Sequence, residues 1–347
     1  MKALLLAGGF GTRMRPLTER LPKPMAPVGN RPWLEHLIAG LKEQGIREFV
    51  IAVKHYPERI TEYFGDGRKW GVSIRYAQEP VPLGTAGAIK NAEAWLDGRF
   101  VAINADVVHR ADIRALVAEH ERSGALVTIG LVEVADPSQF GVVEQTEDGR
   151  IVRFVEKPPR EQAPSNRINA GIYIMEPEIL KKIPAGREVS IERETFPQLI
   201  AEGFRVQGAK VDGYWMDMGT SERYRRIHWD LLDGKLKLDL EERERGGGIR
   251  IGEGTEIAQG AMLVPPVLVG SRVKIGERAV VGPYAVIGDD CVIGRGAKIV
   301  HSILWDRCTA AEAAQLNRCI VGSGLKIGSR HLLHEAVVNV ITEAETI

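Results

Sequence analysis

Residues 4–32 read LLLAGGFGTRMRPLTERLPKPMAPVGNRP, and this stretch indicates the fold and the kind of site that the rest of the chain supports. Residues 2–7 form an apolar run of strand length, and residues 8–11, which contain three glycines, follow directly. Glycines let the backbone turn with positive φ and approach a ligand, and successive free N–H groups form a concave anion site. Because Arg13 and Lys23 add cations nearby, the stretch predicts a strand followed by a polyphosphate-binding loop.

Two better-known phosphate-binding loops do not fit this stretch. A P-loop requires GxxxxGK[ST], and no Lys-Ser or Lys-Thr follows these glycines. The dinucleotide fingerprint requires GxGxxG opening a helix, whereas GGFGTR runs into Pro16 and lacks the last glycine. A plain βα turn with surface cations is the interpretation that a glycine loop alone would favour. The spacing of Arg13 and Lys23 argues against it.

The composition indicates a chain of two domains with no overall charge. It has 347 residues, 46 basic and 46 acidic side chains, and 44% hydrophobic residues. Because these charges balance, the chain has no overall electrostatic field that would attract nucleic acid or a membrane, and any anion-binding site must come from a local cluster of cations. Three cysteines, at 291, 308 and 319, lack metal-binding spacing and leave an odd one out, which predicts a reducing compartment. Because no run is long enough for a signal peptide or a bilayer span, the predicted location is the cytoplasm.

Helix and strand patterns alternate over the first 140 residues. Strand-like runs are separated by apolar residues at helical spacing, with strands predicted at 48–53, 72–76, 100–108 and 126–132 and helices at 32–45, 56–64, 86–96 and 113–123. After about residue 140, segments 141–145 and 151–155 predict a hairpin. Later segments continue with strands at 168–175 and 210–220 and helices at 179–183 and 190–203. The predicted fold class is α/β: a Rossmann-like, mostly parallel mixed sheet with helices on both faces.

A six-residue repeat follows the three glycines at 246–248. Aliphatic residues recur every six positions from Ile251 to Ile299, and the residue four places after each is mostly small or branched. No α-helix or single sheet keeps such a period, whereas a parallel β-helix does. The pattern resembles the left-handed β-helix of hexapeptide-repeat proteins. We therefore predict a first domain at 1–230, a polar linker at 231–248, for which a helix is one alternative, and a β-helix domain at 249–347.

The repeat becomes irregular near its end. We predict that Trp305 and Ala311 keep the phase and that the hexad at 317 is short. Residues 306–316 form either a degenerate coil or an outward loop. A bare end of a β-helix exposes strand edges, so residues 334–341 either cap it or pair with another subunit, and we expect a homo-oligomer formed through this domain.

Residues 9–28 resemble the signature of the sugar-1-phosphate nucleotidyltransferases, GxGTRLxPLTxxxPKxxxPV, with Met14 in the usual place of leucine. PLGTAGAI, FVEKP, SNRINAGIYI and GYWMDMGT resemble the mannose-1-phosphate guanylyltransferases of that family. The resemblance implies Mg²⁺-dependent conversion of GTP and mannose 1-phosphate into GDP-mannose and pyrophosphate. The alternatives are an enzyme for glucose 1-phosphate with UTP or dTTP, one for heptose 1-phosphate, a catalytically silent regulatory homologue, or a bifunctional enzyme with an acetyltransferase in the β-helix.

The same resemblance assigns five catalytic residues. Asp106, at the end of a predicted strand, and Asp217, in WMDMGT, take the places of the family's two metal aspartates, which implies a Mg²⁺ site. An aspartate at a strand end is otherwise most often a cap or turn residue. Arg13 and Lys23 are assigned to the phosphates of the NTP, and Lys157 to the phosphate of the sugar.

The expected binding residues fall into a nucleotide set and a sugar set. The nucleotide set is Leu6, Ala7, Gly8, Gly9, Gly11, Thr12, Arg13, Lys23, Gln78, Gly84 and Thr85, and the sugar set is Gly141, Glu156, Lys157 and Asn169. Segment 78–89 is assigned to the base, where Glu79 can accept from the N–H donors of guanine; a proline-rich loop is the alternative. His301 is interpreted as a solvated histidine rather than an acyltransferase base, and Cys308 and Cys319 as packing residues.

Overall fold

The structure is a computed structural model that describes residues 1–9 and 11–339. Within these residues the chain divides into two compact units. The first unit contains residues 1–9, 22–24 and 37–217, and the second contains residues 11–21, 25–36 and 218–339. The stretch at 4–32 therefore contributes to both units. The domain boundaries predicted near residues 230 and 248 stay a prediction.

The regular elements up to residue 232 are short strands and helices in alternation. The strands are β1 (Lys2–Leu6), β2 (Pro27–Val28), β3 (Arg31–Pro32), β4 (Glu48–Val53), β5 (Ser73–Gln78), β6 (Phe100–Asn104), β7 (Val107–His109), β8 (Val127–Glu133), β9 (Gly141–Gln145), β10 (Ile151–Glu156), β11 (Arg167–Met175), β12 (Val206–Lys210) and β13 (Trp215–Asp217). The α-helices are α1 (Trp33–Glu43), α2 (Pro57–Phe64), α3 (Gly84–Asn91), α4 (Ile113–Ser123), α5 (Phe196–Ala201) and α6 (Ser221–Leu232). Single turns of 3₁₀ helix include Thr12–Met14 and Lys23–Met25, and Ile191–Thr195 forms a π-helical turn.

The main sheet of the first unit has parallel strands at its centre. Its order is β10-β9-β11-β6-β1-β4-β5, and β8 pairs with both β11 and β12 beside this path. β1 is parallel to β4 and β6, and β4 to β5, whereas β11 is antiparallel to β6 and β8. Strands covered on both faces read as continuous apolar runs, as the buried centre of β1 does. The predicted α/β fold with a mostly parallel mixed sheet is confirmed.

Helix α4 shows why the predicted helices form where they do. Asp112 precedes it, and the Asp112 carboxylate accepts a hydrogen bond from the backbone N–H of Ala115 at 3.1 Å. Gly124 ends it with φ 62°, the left-handed conformation that glycine adopts easily. The apolar face between these caps packs on β8 and β12, so local signals and tertiary packing agree.

Several predicted elements of this region are wrong in extent. The helix expected at 86–96 is α3, which ends at Asn91, and the strand expected at 210–220 is limited to β13, while β12 lies at 206–210. Residues 100–108 were expected to form one strand but form β6 and β7, with a turn at residues 105 and 106. The break lets the chain change partners, because β6 pairs in the main sheet whereas β7 pairs with β13. Residues 231–245 contain no helix beyond Leu232, where α6 ends.

The rest of the second unit is a parallel β-helix built from very short strands. They are β14 (Arg243–Glu244), β15 (Ile249–Ile251), β16 (Glu256–Ile257), β17 (Met262–Leu263), β18 (Val267–Val269), β19 (Lys274–Ile275), β20 (Val280–Val281), β21 (Ala285–Ile287), β22 (Val292–Ile293), β23 (Lys298–Val300), β24 (Ile303–Leu304), β25 (Thr309–Ala310), β26 (Gln315–Asn317), β27 (Ile320–Val321), β28 (Lys326–Ile327), β29 (Leu332–His334) and β30 (Val337–Val338). From β15 onward every third strand stacks in parallel in one of three sheets, whereas β14 pairs antiparallel with β15 at the start of the stack. The aliphatic and small residues of the repeat fill the interior. The hexapeptide β-helix is confirmed.

The phase predicted for the last coils is wrong by one residue. Early coils pair residues 18 apart, as in Ile257 with Ile275, but Ile287 pairs with Leu304 and Leu304 with Val321, 17 apart. One short hexad therefore lies before Leu304, so that Leu304 and Ala310, not Trp305 and Ala311, take the inward positions. A second short hexad joins Leu316 to Val321, close to the predicted one at 317, and from Val321 onward the inward positions agree with the repeat. Residues 306–316 contribute β25 and most of β26 to a regular coil, not an outward loop. Residues 334–339 continue the stack through β30, while Val340 and Ile341 of the expected cap lie outside the described residues.

Helix α6 is joined to the β-helix by aromatic side chains. The indole N–H of Trp305 donates to the hydroxyl of Tyr224 at 2.9 Å, and that hydroxyl donates to the carbonyl of Pro27. His301 is stacked on Tyr284 with ring centroids 5.5 Å apart, and Trp229 packs edge-on against both rings. His301 is therefore half-buried in an aromatic cluster rather than solvated. Burial lowers its pKa below the usual histidine value.

Among the described residues, no helix is both long and apolar enough to span a bilayer.

The two tryptophans at this junction allow a matched stability test. Trp305→Phe removes a satisfied indole N–H, whereas the buried indole N–H of Trp229 has no hydrogen-bond partner in the described part of the chain. Both changes remove a similar ring area, so their difference isolates the hydrogen bond. Trp305→Phe should lower the free energy of unfolding by about 1 kcal/mol more than Trp229→Phe. Urea unfolding monitored by circular dichroism measures this; equal losses would show that the Trp305–Tyr224 bond does not stabilise the unit.

Candidate active site

Three parallel strands of the first unit end side by side, and each is followed by residues suited to phosphate chemistry. Leu6, the last residue of β1, lies in register with Ala52 of β4 and Asn104 of β6. Beyond these strand ends come the glycines at 8 and 9, Lys54 and Asp106 respectively. Ligands of open α/β sheets bind at the carboxyl ends of the strands, so this edge is where a site is expected.

Lys23 links two aspartates at this edge. Its ammonium donates to the carboxylate of Asp106 at 2.6 Å and lies 3.6 Å from that of Asp217. The Lys23 side chain is only 6% exposed, while those of Asp106 and Asp217 are 38% and 14% exposed. A lysine buried to this degree requires opposite charge close by.

The backbone explains how two carboxylates so distant in sequence meet. Asp106 lies in the turn between β6 and β7, and β13 runs antiparallel to β7 with Asp217 opposite Val107. This pairing places Asp217 beside the turn that holds Asp106. The structure therefore brings Lys23, Asp106 and Asp217 together, while their roles stay a prediction.

A cavity of about 340 Å³ opens next to this cluster. It is lined by most of the expected nucleotide residues of the first unit and by several others: Leu6, Ala7, Gly8, Gly9, Lys23, Pro24, Lys54, Glu79, Pro82, Gly84, Thr85, Ala88, Asn104, Asp106 and Glu188. Glycine-loop backbone, cationic side chains and an aspartate thus share one concave surface. Such a surface is suited to a phosphorylated ligand of moderate size.

Segment 78–89 forms one wall of that cavity. The Glu79 carboxylate accepts from the N–H of Leu83 at 3.3 Å, and a side chain at Gly8 would collide with it, its Cβ only 2.6 Å from the Glu79 oxygen. Burial raises the pKa of Glu79, an effect opposed by that N–H and by the charge of Lys54. At Gly84, φ is 66° and a Cβ would lie 2.6 Å from the carbonyl of Val189, so glycine is required where α3 begins.

The expected sugar residues form a second group in the first unit. Gly141 of β9 lies opposite Glu156 of β10, and the Glu156 carboxylate is 3.4 Å from the ammonium of Lys157. Asn169 of β11 donates to the hydroxyl of Tyr173 at 2.8 Å, at a register shift in that strand. The group offers an amide, a carboxylate and a cation, the donors and acceptors that a phosphorylated sugar requires.

The sugar group is tied to the aspartate cluster through Trp215. The Trp215 indole N–H donates to the carbonyl of Ala170 at 2.9 Å, next to Asn169, while Asp217 ends the same strand. Phe140, whose carbonyl accepts from the N–H of Lys157, packs edge-on against the Trp215 ring. Strand β13 therefore connects both groups of side chains.

Glu192 is a candidate residue that the sequence analysis missed. It lies in the π-helical turn at 191–195 and accepts a hydrogen bond from the hydroxyl of Ser190 at 3.0 Å. Burial raises its pKa, and the nearby carboxylate of Glu156 raises it further. Because 190–203 was interpreted simply as a helix, no local signal distinguished Glu192. Only the folded chain brings it near Glu156 and Lys157.

Not every expected residue lies in these groups. Gln78 is the last residue of β5 and is absent from the lining of the cavity. Gly11, Thr12 and Arg13 belong to the second unit, where residues 12–14 form a 3₁₀ turn. Their assignment to the nucleotide rests on the resemblance of the signature.

The donor set fits a divalent cation only in part. The described residues contain no cluster of three or more His, Cys, Asp or Glu side chains that could hold a metal ion. Mg²⁺ in phosphate-transfer sites is commonly held by one or two carboxylates, with waters and substrate phosphates completing the coordination. Asp106 and Asp217 supply such a pair, and their approach to the single ammonium of Lys23 shows that both face one cation-sized position. The two aspartates therefore fit a divalent ion whose remaining coordination positions are filled by substrate phosphates and water.

Comparison with known proteins agrees with this geometry. The family model described as "Nucleotidyl transferase" matches residues 2–234, and the one described as "GMPPB C-terminal domain" matches residues 263–345. The chain belongs to the nucleotidyl transferase family, which confirms the resemblance found in the signature. Enzymes of this family generally use a divalent metal ion.

The chain is similar to several named proteins of this family. The chain is 42% identical over 234 residues to the mannose-1-phosphate guanylyltransferase of Mycobacterium tuberculosis, covering 67% of this chain and 65% of that protein. It is 35% identical over 255 residues to the UTP–glucose-1-phosphate uridylyltransferase of Synechocystis sp., covering 70% and 65%. The match thus spans less than two thirds of either relative. The crystal structure of HddC from Yersinia pseudotuberculosis complexed with GMP-PN has a TM-score of 0.56 and 26% identity, covering 65% of this chain and 97% of that one.

The Lys23 cluster predicts a cation-dependent change in stability. Lys23→Met removes the ammonium and leaves the carboxylates of Asp106 and Asp217 facing each other, which should cost about 1–3 kcal/mol in chelator. Added Mg²⁺ or Mn²⁺ should raise the unfolding midpoint of this variant more than that of the unchanged protein, because the ion no longer competes with the ammonium. Thermal unfolding with and without the ion measures both effects. Lys2→Met, which breaks the pair with the exposed Asp97, is the control and should respond little; an identical response of the two variants would contradict the cluster.

Proposed function

We propose that the chain transfers a guanylyl group from GTP to mannose 1-phosphate, forming GDP-mannose and pyrophosphate. The observation that carries this proposal is the buried ammonium of Lys23 against the carboxylates of Asp106 and Asp217, beside a cavity lined by glycine-loop backbone. A multiply charged phosphate requires cationic groups, and a divalent ion bound to that phosphate requires carboxylates; both kinds of group meet at these strand ends. The name of the Mycobacterium relative and the GMP-PN bound to HddC favour mannose and guanine.

The proposed chemistry is displacement at phosphorus. A phosphate oxygen of mannose 1-phosphate attacks the α-phosphorus of GTP, and the new P–O bond forms as the bond to the pyrophosphate oxygen breaks. The electron pair of the broken bond leaves with pyrophosphate. No general base is needed, because a phosphate monoester is already ionised near neutral pH. The protein therefore acts by positioning the reactants and neutralising charge.

Each charged residue has an assigned task. The backbone at residues 8 and 9 and the guanidinium of Arg13 bind the β- and γ-phosphates, Lys23 binds the α-phosphate, and Lys157 orients the attacking phosphate. Asp106 and Asp217 would hold Mg²⁺, which when bound supplies positive charge to the reacting phosphates. Until substrates arrive, Lys23 keeps these two carboxylates from repelling each other.

Recognition of the base and the sugar is assigned to different walls. We assign the Glu79 carboxylate, which lines the cavity, to the N1 and N2 donors of guanine. We assign the sugar hydroxyls to Asn169, Glu156 and the backbone of Gly141, with Glu192 close enough to Glu156 to feel its charge. Since mannose and glucose differ in one hydroxyl, discrimination between sugars should be smaller than discrimination between bases.

Assembly and location are also proposals. We propose that the β-helix mediates formation of a homo-oligomer and carries no acetyltransferase activity. In the described chain Cys291, Cys308 and Cys319 are buried free thiols, which supports a reducing, cytoplasmic setting.

Base recognition gives the test of the proposed function. Initial rates with GTP, UTP, dTTP and ATP, each paired with mannose, glucose and heptose 1-phosphates, should give the highest kcat/KM for GTP with mannose 1-phosphate. Glu79→Gln places an amide donor opposite the guanine donors, so the preference for GTP over UTP should fall by about 10²-fold. Glu62→Gln, at an exposed glutamate of α2 that does not line the cavity, is the control and should keep the preference. A wild-type preference for UTP or dTTP would instead indicate a glucose-1-phosphate enzyme.

The sugar half of the site is tested by Lys157. Lys157→Ala removes the cation beside Glu156 and should raise KM for mannose 1-phosphate about 10- to 100-fold, because a charged hydrogen bond to the phosphate is lost. KM for GTP should change little. Lys210→Ala, which removes an exposed lysine paired with Asp212, should leave both constants unchanged. An effect of Lys157→Ala confined to GTP would overturn the assignment.

A further inference from the structure

The loop at residues 11–21 belongs to the same compact unit as the β-helix. It is a folded loop with buried side chains: Met14 and Leu17 are fully buried, and the hydroxyl of Thr18 donates to the carbonyl of Gly11 at 2.8 Å, closing the loop on itself. The 3₁₀ turn at residues 12–14 is a single turn, too short to be stable alone. Its conformation must therefore depend on contacts with the rest of the second unit.

One of those contacts is a hydrogen bond from the far end of the β-helix. The side-chain amide of Asn339 donates to the carbonyl of Pro16 at 2.8 Å and lies 3.4 Å from the carbonyl of Leu17. Asn339 directly follows β30, the last described strand of its sheet, and is separated from Pro16 by 323 positions. This contact holds the middle of the loop, where the backbone N–H groups of residues 14, 15, 17 and 19 bond to carbonyls only three residues away.

The preceding coil is shaped to admit this asparagine. A Cβ at Gly322 would lie 1.9 Å from the side-chain oxygen of Asn339 and 3.1 Å from its Cα. The strand pairing that leads here is regular, since the N–H of Gly322 donates to the carbonyl of Val338 at 2.7 Å. Glycine at 322 thus leaves the space in which the Asn339 amide turns towards the loop.

We propose that Asn339 is a positioning residue for the nucleotide: the last described coil of the β-helix holds the loop that carries Arg13 in its working conformation. The kinetic consequence rests on the proposed function, because Arg13 acts through the phosphates of GTP. Asn339 itself touches only the loop backbone. The β-helix therefore has a direct part in NTP use in addition to any part in assembly.

Asn339→Ala removes the donor, and Asn339→Asp replaces it with a carboxylate facing two carbonyl oxygens. Amide hydrogen exchange of residues 12–21 should accelerate roughly two- to tenfold in the first variant and more in the second, the loss expected for one net hydrogen bond. Exchange at residues 280–300 should not change, which separates a local effect from unfolding of the β-helix. Asn339→Gln, which keeps an amide, should restore part of the protection.

Steady-state kinetics of the full chain supply the second readout. KM for GTP should rise, or kcat fall, by about two- to tenfold in Asn339→Ala, while KM for mannose 1-phosphate stays constant. Gly322→Ala should act in the same direction by displacing the Asn339 side chain. Asn317→Ala, an exposed asparagine on an earlier coil, is the matched control and should behave as the unchanged protein.

The two readouts separate the possible failures. Unchanged exchange of the loop in both Asn339 variants overturns the inference, whatever the activity. Faster exchange with unchanged GTP kinetics overturns the positioning role. Faster exchange in a protein that turns over none of the NTP and sugar pairs would support the loop contact and refute the proposed function instead.

Discussion

The first unit depends on keeping one buried ammonium neutralised. An ion taken out of water loses several kcal/mol of hydration, so the Lys23 side chain is stable at 6% exposure only if opposite charge is held close to it. Asp106 and Asp217 supply that charge from two separate segments. The β6–β7 turn brings the first, and the β7–β13 ladder brings the second. The break in the strand at residues 105 and 106, which looks like a defect in the sheet, is therefore what assembles the cluster.

The same strand extends this constraint to the second half of the unit. Trp215 precedes Asp217 by two residues, and its bond to the carbonyl of Ala170 fixes β13 against the irregular part of β11. Asn169 and the Glu156–Lys157 pair occupy that region. A shift of β13 would thus disturb the aspartate cluster and the proposed sugar residues together, so both groups of side chains depend on the same strand.

Much of this could be predicted from sequence because the deciding signals are periodic or local. Apolar runs and helical spacing give the α/β unit, and a period of six gives the β-helix. The change from 18 to 17 residues per coil was predicted at the wrong place because Trp305 is apolar and stands six residues after Ile299, as the repeat requires. Its side chain instead hydrogen-bonds the hydroxyl of Tyr224, and Leu304 takes the inward position. Glu192 and Asn339 were not found because neither stands in a pattern. Their partners lie in other segments, and only the fold brings them together.

We propose that Asp106 and Asp217 form a cation-binding pair that the Lys23 ammonium occupies in the absence of substrate. Anomalous diffraction from crystals containing Mn²⁺ and a non-hydrolysable GTP analogue tests it most directly. The account predicts a Mn²⁺ peak within coordination distance of both carboxylates, about 2–2.3 Å for a hard cation and oxygen, with the Lys23 ammonium no longer between them. A peak bound to neither aspartate, or Lys23 still bridging them with the analogue in place, would contradict it.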